Sequence, residues 1–408
     1  MNIGIYTHNI KTGKSGGVEQ YANWIVGALL DYTGHKVFIF TNKDLAEVSI
    51  LKWKRFQNCT VVTLPFRSKI FRFVCYNSFS NKIGFSKLID WLHHKNGWRW
   101  MLKMFADPRV IIYCYNLDVL HFPTQIMPYY NWKIPIAVTL HDLQHEHLPE
   151  FFSAKRLATR RYWYEKSALE CSQILTTYQH TKDDIIKYIG VPSEKISVTS
   201  FGFTRPNFFV PLDSASVLKK YNIPNNFLLY PARVWKHKNH LFLLKSIKMY
   251  KEKYGDIFLV CTGGKTELSE EIEKNAETLG LSNSVKFTGF INEAELWALY
   301  QSTSLVVIPT LFESGSGPLI ESMFNLTPVI CSNVTSLPSV IGDQKFIFNP
   351  RDKFEFIELI NKMLTNASFR EENIKNSALQ IEKFKWNKII KNYIDAYECA
   401  QFSYKNKK

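Results

Sequence analysis

The chain has 408 residues, 46% of them hydrophobic, too many for one ordinary domain and enough to core two. Its 51 Lys and Arg outnumber 36 Asp and Glu, and the net charge of +15 favours anionic partners such as nucleotides, phospholipid headgroups or nucleic acid without choosing between them. Seven dispersed cysteines argue against a disulfide framework or zinc site, and neither a secretory leader nor a run of ~20 apolar residues is visible, so a cytoplasmic protein with at most peripheral contact on the inner face of the membrane is expected.

Short apolar runs alternate with amphipathic stretches from the first residues onward. Strands are expected at Ile3–Tyr6, Val37–Phe40, Val61–Leu64, Val119–Phe122, Ile136–Leu140, Ile174–Thr177 and Ile196–Thr199, with helices that include Val18–Tyr32 and Lys182–Ile189. One segment, 66–105, breaks the alternation. It sets Arg67, Lys69, Arg72, Lys82, Lys87, Lys95, Arg99 and Lys103 against the single acid Asp90, and interleaves aromatic residues, among them Trp91, Trp98 and Trp100. That composition suits an anionic membrane surface, or a helical insertion with its aromatics turned inward; nucleic acid is the least favoured partner.

From Phe201 to about Asn226 the chain is irregular, with Gly202, Pro206, Pro211 and Pro224 marking a linker. The alternation then restarts with strands at Phe227–Tyr230, Ile257–Cys261, Val285–Thr288, Leu305–Ile308 and Val329–Cys331, and helices between them. The implied architecture is α/β: two Rossmann-like, doubly wound domains, 1–205 and 206–386, presenting the C-terminal ends of their strands to a cleft.

The strongest chemical signal is Pro309-Thr310-Leu311-Phe312-Glu313-Ser314-Gly315-Ser316-Gly317-Pro318-Leu319-Ile320-Glu321. A buried strand would end at Pro309, a Gly- and Ser-rich loop follow, and Pro318 stand at the first helical position, where its missing N–H costs nothing. Loop amides and a helix N-terminus suit phosphate or sugar hydroxyls. Glu313 on the loop and Glu321 in the first helical turn could grip two polyols of one ligand, although an acid near a helix start is also favoured by the macrodipole alone.

Three further sites lie at strand ends. Arg233 and Lys238, in Tyr230-Pro231-Ala232-Arg233-Val234-Trp235-Lys236-His237-Lys238, pair a planar fork with a point charge, as a diphosphate requires. Gly13-Lys14-Ser15-Gly16-Gly17 lacks the upstream glycine of a P-loop, because His8 stands there; what remains is a permissive Gly16-Gly17 turn at a helix start. His141-Asp142 closes a third strand. The nearby His145, Glu146 and His147 do not complete a metal motif, since Pro149 takes the place of the second histidine of H-E-x-x-H, and no metal is expected.

Taken together, these residues resemble the retaining glycosyltransferases of GT-B fold that carry Glu-x7-Glu (glycosyltransferase family 4, group 1), and the resemblance spans nearly the whole chain. Weaker similarities lie at Gly263-Gly264, Phe287-Thr288-Gly289, Pro328–Ser332, Leu337-Pro338 and Phe384-Lys385-Trp386. The resemblance implies that Glu313 contacts the donor sugar, Glu321 the nucleotide ribose, Arg233 and Lys238 the leaving diphosphate and His141 the donor sugar. Gly16, Gly17 and Ser314, Gly315, Ser316 and Gly317 would contribute to donor binding. It also implies a C-terminal helix in 387–408 that returns to the N-terminal domain. The chain departs from the family in its loop, Glu313-Ser314-Gly315-Ser316-Gly317 in place of Glu-Gly-Phe-Gly, and at Leu326, which replaces a glycine; Asn325 is expected to take the turn conformation instead.

The implied activity is metal-independent, cofactor-free hexosyl transfer with retention. The donor is a nucleoside diphosphate sugar, GDP-mannose first, and the acceptor a hydroxyl of a glycan or lipid-linked acceptor in bacterial surface polysaccharide. A GT-B sugar-phosphate synthase or phosphorylase on a soluble acceptor, and a non-catalytic nucleotide-sugar-binding protein, are the alternatives.

Overall fold

A computed structural model describes residues 1–10, 17–64, 108–128, 131–200, 202–203 and 212–406. The basic aromatic segment 66–105 and Gly16 lie outside the described residues, as do 201 and 204–211 of the linker.

The first sheet has seven parallel strands: β1 (Asn2–Tyr6), β2 (Lys36–Thr41), β3 (Cys59–Thr63), β4 (Val119–Phe122), β5 (Ile136–Thr139), β6 (Gln173–Thr176) and β7 (Ile196–Val198), in the order β3-β2-β1-β4-β5-β6-β7. Every residue of β4, β5 and β6 is buried, as expected of parallel strands covered on both faces. The second sheet has six: β8 (Leu228–Pro231), β9 (Leu259–Thr262), β10 (Val285–Gly289), β11 (Leu305–Ile308), β12 (Val329–Ser332) and β13 (Ile347–Phe348), in the order β10-β9-β8-β11-β12-β13 and also parallel. Both are doubly wound, with strand order reversing between β1 and β4 and between β8 and β11.

The chain divides into two compact units, one of Met1–Leu143, Ala154–Gly202 and Trp386–Lys408, the other of Gln144–Ser153 and Phe203–Lys385. The division falls at Gly202 instead of 205. Gln144–Ser153 groups with the second unit because the His147 ring meets Phe312 at 5.3 Å and Lys236 lies over Phe151.

The helix Trp386–Asn406 packs on the first unit. It buries Ile389, Ile390, Tyr393 and Tyr397 in a cluster with Ile3, Ile5, Ile25 and Leu29. Its tyrosines are also hydrogen-bonded: Tyr397 OH lies 2.9 Å from His121 Nδ1, and Tyr393 OH donates to the Ser200 carbonyl at 3.0 Å. Burial lowers the His121 pKa to about 3, so the ring is neutral; its Nε2 meets Thr139 Oγ1 at 2.7 Å, and Tyr21 OH meets the same hydroxyl at 3.0 Å. No helix among the described residues is long and apolar enough to cross a membrane.

Candidate functional site

The second sheet reverses direction between β8 and β11, so the loops leaving their C-terminal ends are neighbours. These loops carry Arg233 and Lys238 on one side and Glu313 on the other. They are stitched together by backbone. Leu311 N–H donates to the His237 carbonyl at 2.7 Å and Thr310 Oγ1 to the same oxygen at 2.9 Å. Asn239 donates its side-chain amide to the carbonyls of Pro309 and Pro350, both at 3.0 Å, and Tyr230 OH donates to the Lys238 carbonyl at 2.7 Å. Asn239 adopts φ +61°, a left-handed conformation that asparagine tolerates better than most residues.

Within this frame Lys238 Nζ lies 2.5 Å from Glu313 Oε2, with side chains 16% and 12% exposed. The pair is mostly desolvated, which makes removal of either partner costly. Arg233 is half-buried beside Gly263, whose backbone has φ +131°. A Cβ at Gly263 would lie 2.8 Å from the Ala232 carbonyl group and from Arg233 N, so only glycine allows the β8 and β9 loops to approach this closely. Gly264 lies alongside the guanidinium, its Cβ direction 3.7 Å from Arg233 Nε.

Ser316 caps the helix Gly317–Phe324, its hydroxyl accepting from Leu319 N–H at 3.3 Å. Pro318 is therefore the second helical residue, one later than expected. Glu321 is the fifth, beyond the first turn, so the macrodipole explanation of this acid fails. Ser314 is half-buried and Gly315 exposed. Glu321 accepts a hydrogen bond from Tyr300 OH at 2.7 Å, and its other oxygen lies beside Gly317, 3.6 Å from where a Cβ would sit. Burial pushes the Glu321 carboxyl up to about 7; the Tyr300 bond opposes that rise and the negative charge of Glu293 adds to it.

The left-handed turn expected at Asn325 falls instead on Leu326, with φ +55°. Asn325 stays right-handed because its N–H and side-chain amide both donate to the Glu321 carbonyl, at 3.0 and 2.8 Å, completing the helix end.

In the first unit, His141 follows the end of β5. Its Nε2 lies 3.1 Å from the Pro123 carbonyl, which can only accept, so Nε2 carries the proton and Nδ1 offers a lone pair. Burial lowers its pKa, and Tyr21 meets the ring edge-on at 4.7 Å. Asp142 accepts from Gln125 at 3.4 Å and lies 3.9 Å from Arg160. Gly17 is the first residue of the helix Gly17–Tyr32, with open space around it. The structure thus pairs Lys238 with Glu313 in the second unit, sets Arg233 on the same loop after β8 and Glu321 in the helix that follows the β11 loop, and places Gly17 and His141 in the first. Among the described residues no group of three His, Cys, Asp or Glu side chains is arranged to hold a metal ion.

Several partners carried no sequence signal. Tyr300 holds Glu321 from 21 residues away, and Thr335 and Ser336 hold the backbone of Glu313 from 22 and 23. Such pairs follow from loop geometry and leave no periodicity to read.

Two doubly wound parallel sheets, the second bearing cations and carboxylates at its switch point, define the GT-B class. Residues 15–203 match the model of Glycosyltransferase Family 4 and residues 216–380 that of Glycosyl transferases group 1. The chain thus carries the paired domains of a glycosyltransferase. It is 25% identical over 316 residues to O-antigen chain mannosyltransferase B of Escherichia coli, across 75% of this chain and 78% of that one. It is 30% identical over 232 residues to the serotype-specific mannosyltransferase WbdA of Escherichia coli, across 55% of this chain but 28% of WbdA. Sucrose-phosphate synthase from Thermosynechococcus elongatus shares the fold with TM-score 0.70 at 18% identity, over 98% of both chains. Anabaena HepE in complex with UDP and glucose does so with TM-score 0.69 at 17% identity, over 98% of this chain and 99% of that one.

Proposed function

We propose that this glycosyltransferase moves a hexosyl group, mannose first, from a nucleoside diphosphate sugar to a hydroxyl of a glycan or lipid-linked acceptor in polysaccharide synthesis, with retention of configuration. The observation that carries the reading is the Lys238–Glu313 pair joining the loops at the β8–β11 switch point, with Arg233 on the first of those loops and Glu321 in the helix that follows the second. The mannosyltransferases among its relatives support the choice of sugar, and GDP-mannose is the donor assigned first.

In this mechanism the bond between the anomeric carbon and the diphosphate oxygen breaks while positive charge builds on the sugar. The acceptor oxygen bonds to the same face, and its proton passes to the departing diphosphate oxygen. Arg233 and Lys238 stabilise the charge that develops on the leaving group, the role a divalent cation has elsewhere, so transfer is assigned as metal-independent. Glu313, already bonded to Lys238, contacts the donor sugar and couples its placement to that of the diphosphate. Glu321 accepts from the ribose, and the neutral His141 presents Nδ1 to a sugar hydroxyl.

Thermal-shift titration with GDP, UDP, dTDP and ADP tests the donor class. Stabilisation by GDP above the others is expected, and no response to any nucleotide would overturn the assignment. Flotation with anionic liposomes tests the peripheral-membrane part; lack of binding at low salt would remove it.

A further inference from the structure

Thr335 has a backbone conformation that its side chain disfavours. Its φ is +46°, in the left-handed region where a β-branched residue is a genuine outlier. Glycine or asparagine would occupy this position with less strain. The neighbouring Ser336 is also misused in local terms. It stands at the N-cap of the helix Leu337–Ile341, where a serine hydroxyl ordinarily accepts from the helix, yet it makes no capping bond.

Both hydroxyls go to one residue. Thr335 Oγ1 accepts from Glu313 N–H at 3.1 Å and donates to the Glu313 carbonyl at 2.5 Å, and Ser336 Oγ donates to the same carbonyl at 3.1 Å. Ser336 is 1% exposed, so its bond is shielded from water. From the same segment, Ser332 Oγ donates to the Thr310 carbonyl at 2.6 Å, three residues before Glu313. The end of β12 and the loop after it therefore grip the loop after β11 at two points, and three of these bonds converge on the backbone of Glu313.

We infer that Thr335 is a positioning residue for Glu313: its hydroxyl, held in place by a strained backbone, fixes the glutamate main chain so that the carboxylate stays where Lys238 and the donor sugar need it. Strain of this kind persists where the surroundings over-determine it, and it clusters at functional sites. The bidentate bond explains why a β-branched hydroxyl residue occupies a glycine-like position. Threonine has both the donor and the acceptor, and its restricted χ1 keeps them aimed. This rests on the assignment of Glu313 to the donor sugar.

The test compares Thr335→Val, which keeps the shape and removes the hydroxyl, with Thr335→Ser, which keeps the hydroxyl and relaxes the branch. Amide hydrogen exchange of the 309–317 loop should quicken at Glu313 by roughly tenfold or more in Thr335→Val and stay near wild type in Thr335→Ser. In the transfer assay Thr335→Val should lose roughly 10- to 100-fold in kcat with little change in donor KM, and Thr335→Ser should restore most of it. Unchanged exchange in Thr335→Val, or equal losses in the two variants, would overturn the clamp. A wild-type protein that transfers nothing from any donor would instead overturn the functional reading, and the exchange comparison would still decide the clamp.

Discussion

Replacing Glu321 by glutamine should stabilise the fold at alkaline pH while weakening the donor site. In the folded protein the carboxyl titrates near 7, against 4.5 when unperturbed, chiefly because it is buried. Between those two values the native state holds a proton that the unfolded chain has released, so stability falls as pH rises through this window. The full displacement corresponds to about 3 kcal/mol, and partial exposure of the side chain reduces this to about 1–3 kcal/mol. Glutamine has the same shape, can still accept from Tyr300 OH, and never ionises. The Tm of Glu321→Gln relative to wild type should therefore rise between pH 5 and pH 8, by about 2–12 °C for a unit of this size. Donor affinity should fall by roughly 5- to 10-fold, because one carboxylate acceptor for the ribose is lost. The assay is paired calorimetric or fluorescence melts at the two pH values, followed by donor titration. A Tm difference that is flat or shrinks toward pH 8 would refute the reasoning.

The other expectations are narrower. Wild-type donor KM should increase as pH drops below about 7, as Glu321 gains a proton, whereas Glu321→Gln should show no such dependence in a KM–pH profile. Lys238→Ala should cut transfer at least ~100-fold and, by leaving Glu313 unpaired, destabilise by about 3 kcal/mol in denaturant titration. Wild-type rates in that variant, or loss of wild-type activity in chelator, would count against the assigned role of the two cations. Gly263→Ala should cost about 2–4 kcal/mol and displace Arg233, because its Cβ meets the Ala232 carbonyl group and the backbone is left-handed; an unaltered melt would contradict this. Leu326→Gly should raise stability by about 0.5–1 kcal/mol, since the leucine is 47% exposed and strained at φ +55°; a lower Tm would show that its side chain packs better than its exposure indicates.

Much of the fold was legible because parallel strands buried on both faces appear as unbroken apolar runs. Leu305–Ile308 and Val329–Cys331 were readable for that reason, and each differs from the observed strand by no more than one residue. Strand β13, only Ile347–Phe348, was not, since two residues have no pattern. The position of Glu313 between loop and strand could be read from local sequence, but its supports could not. Thr335 and Ser336 reach it from the loop after the neighbouring strand β12. The turn after the Gly317–Phe324 helix was misplaced for a related reason. Composition favours Asn325 for a left-handed residue, but hydrogen bonds to Glu321 already commit that asparagine to the helix end.

The Trp386–Asn406 helix has a consequence for biogenesis. Its Tyr393 and Tyr397 complete the interior of the first unit, and Tyr397 satisfies the buried His121. In chain order the strands of the first sheet come well before this helix, so the sheet lacks one covering layer until residues 386–406 have been made. The first unit therefore cannot close its core from its own contiguous segment, and a fragment ending before Trp386 would leave Ile3, Ile5, Ile25 and Leu29 without part of their cover.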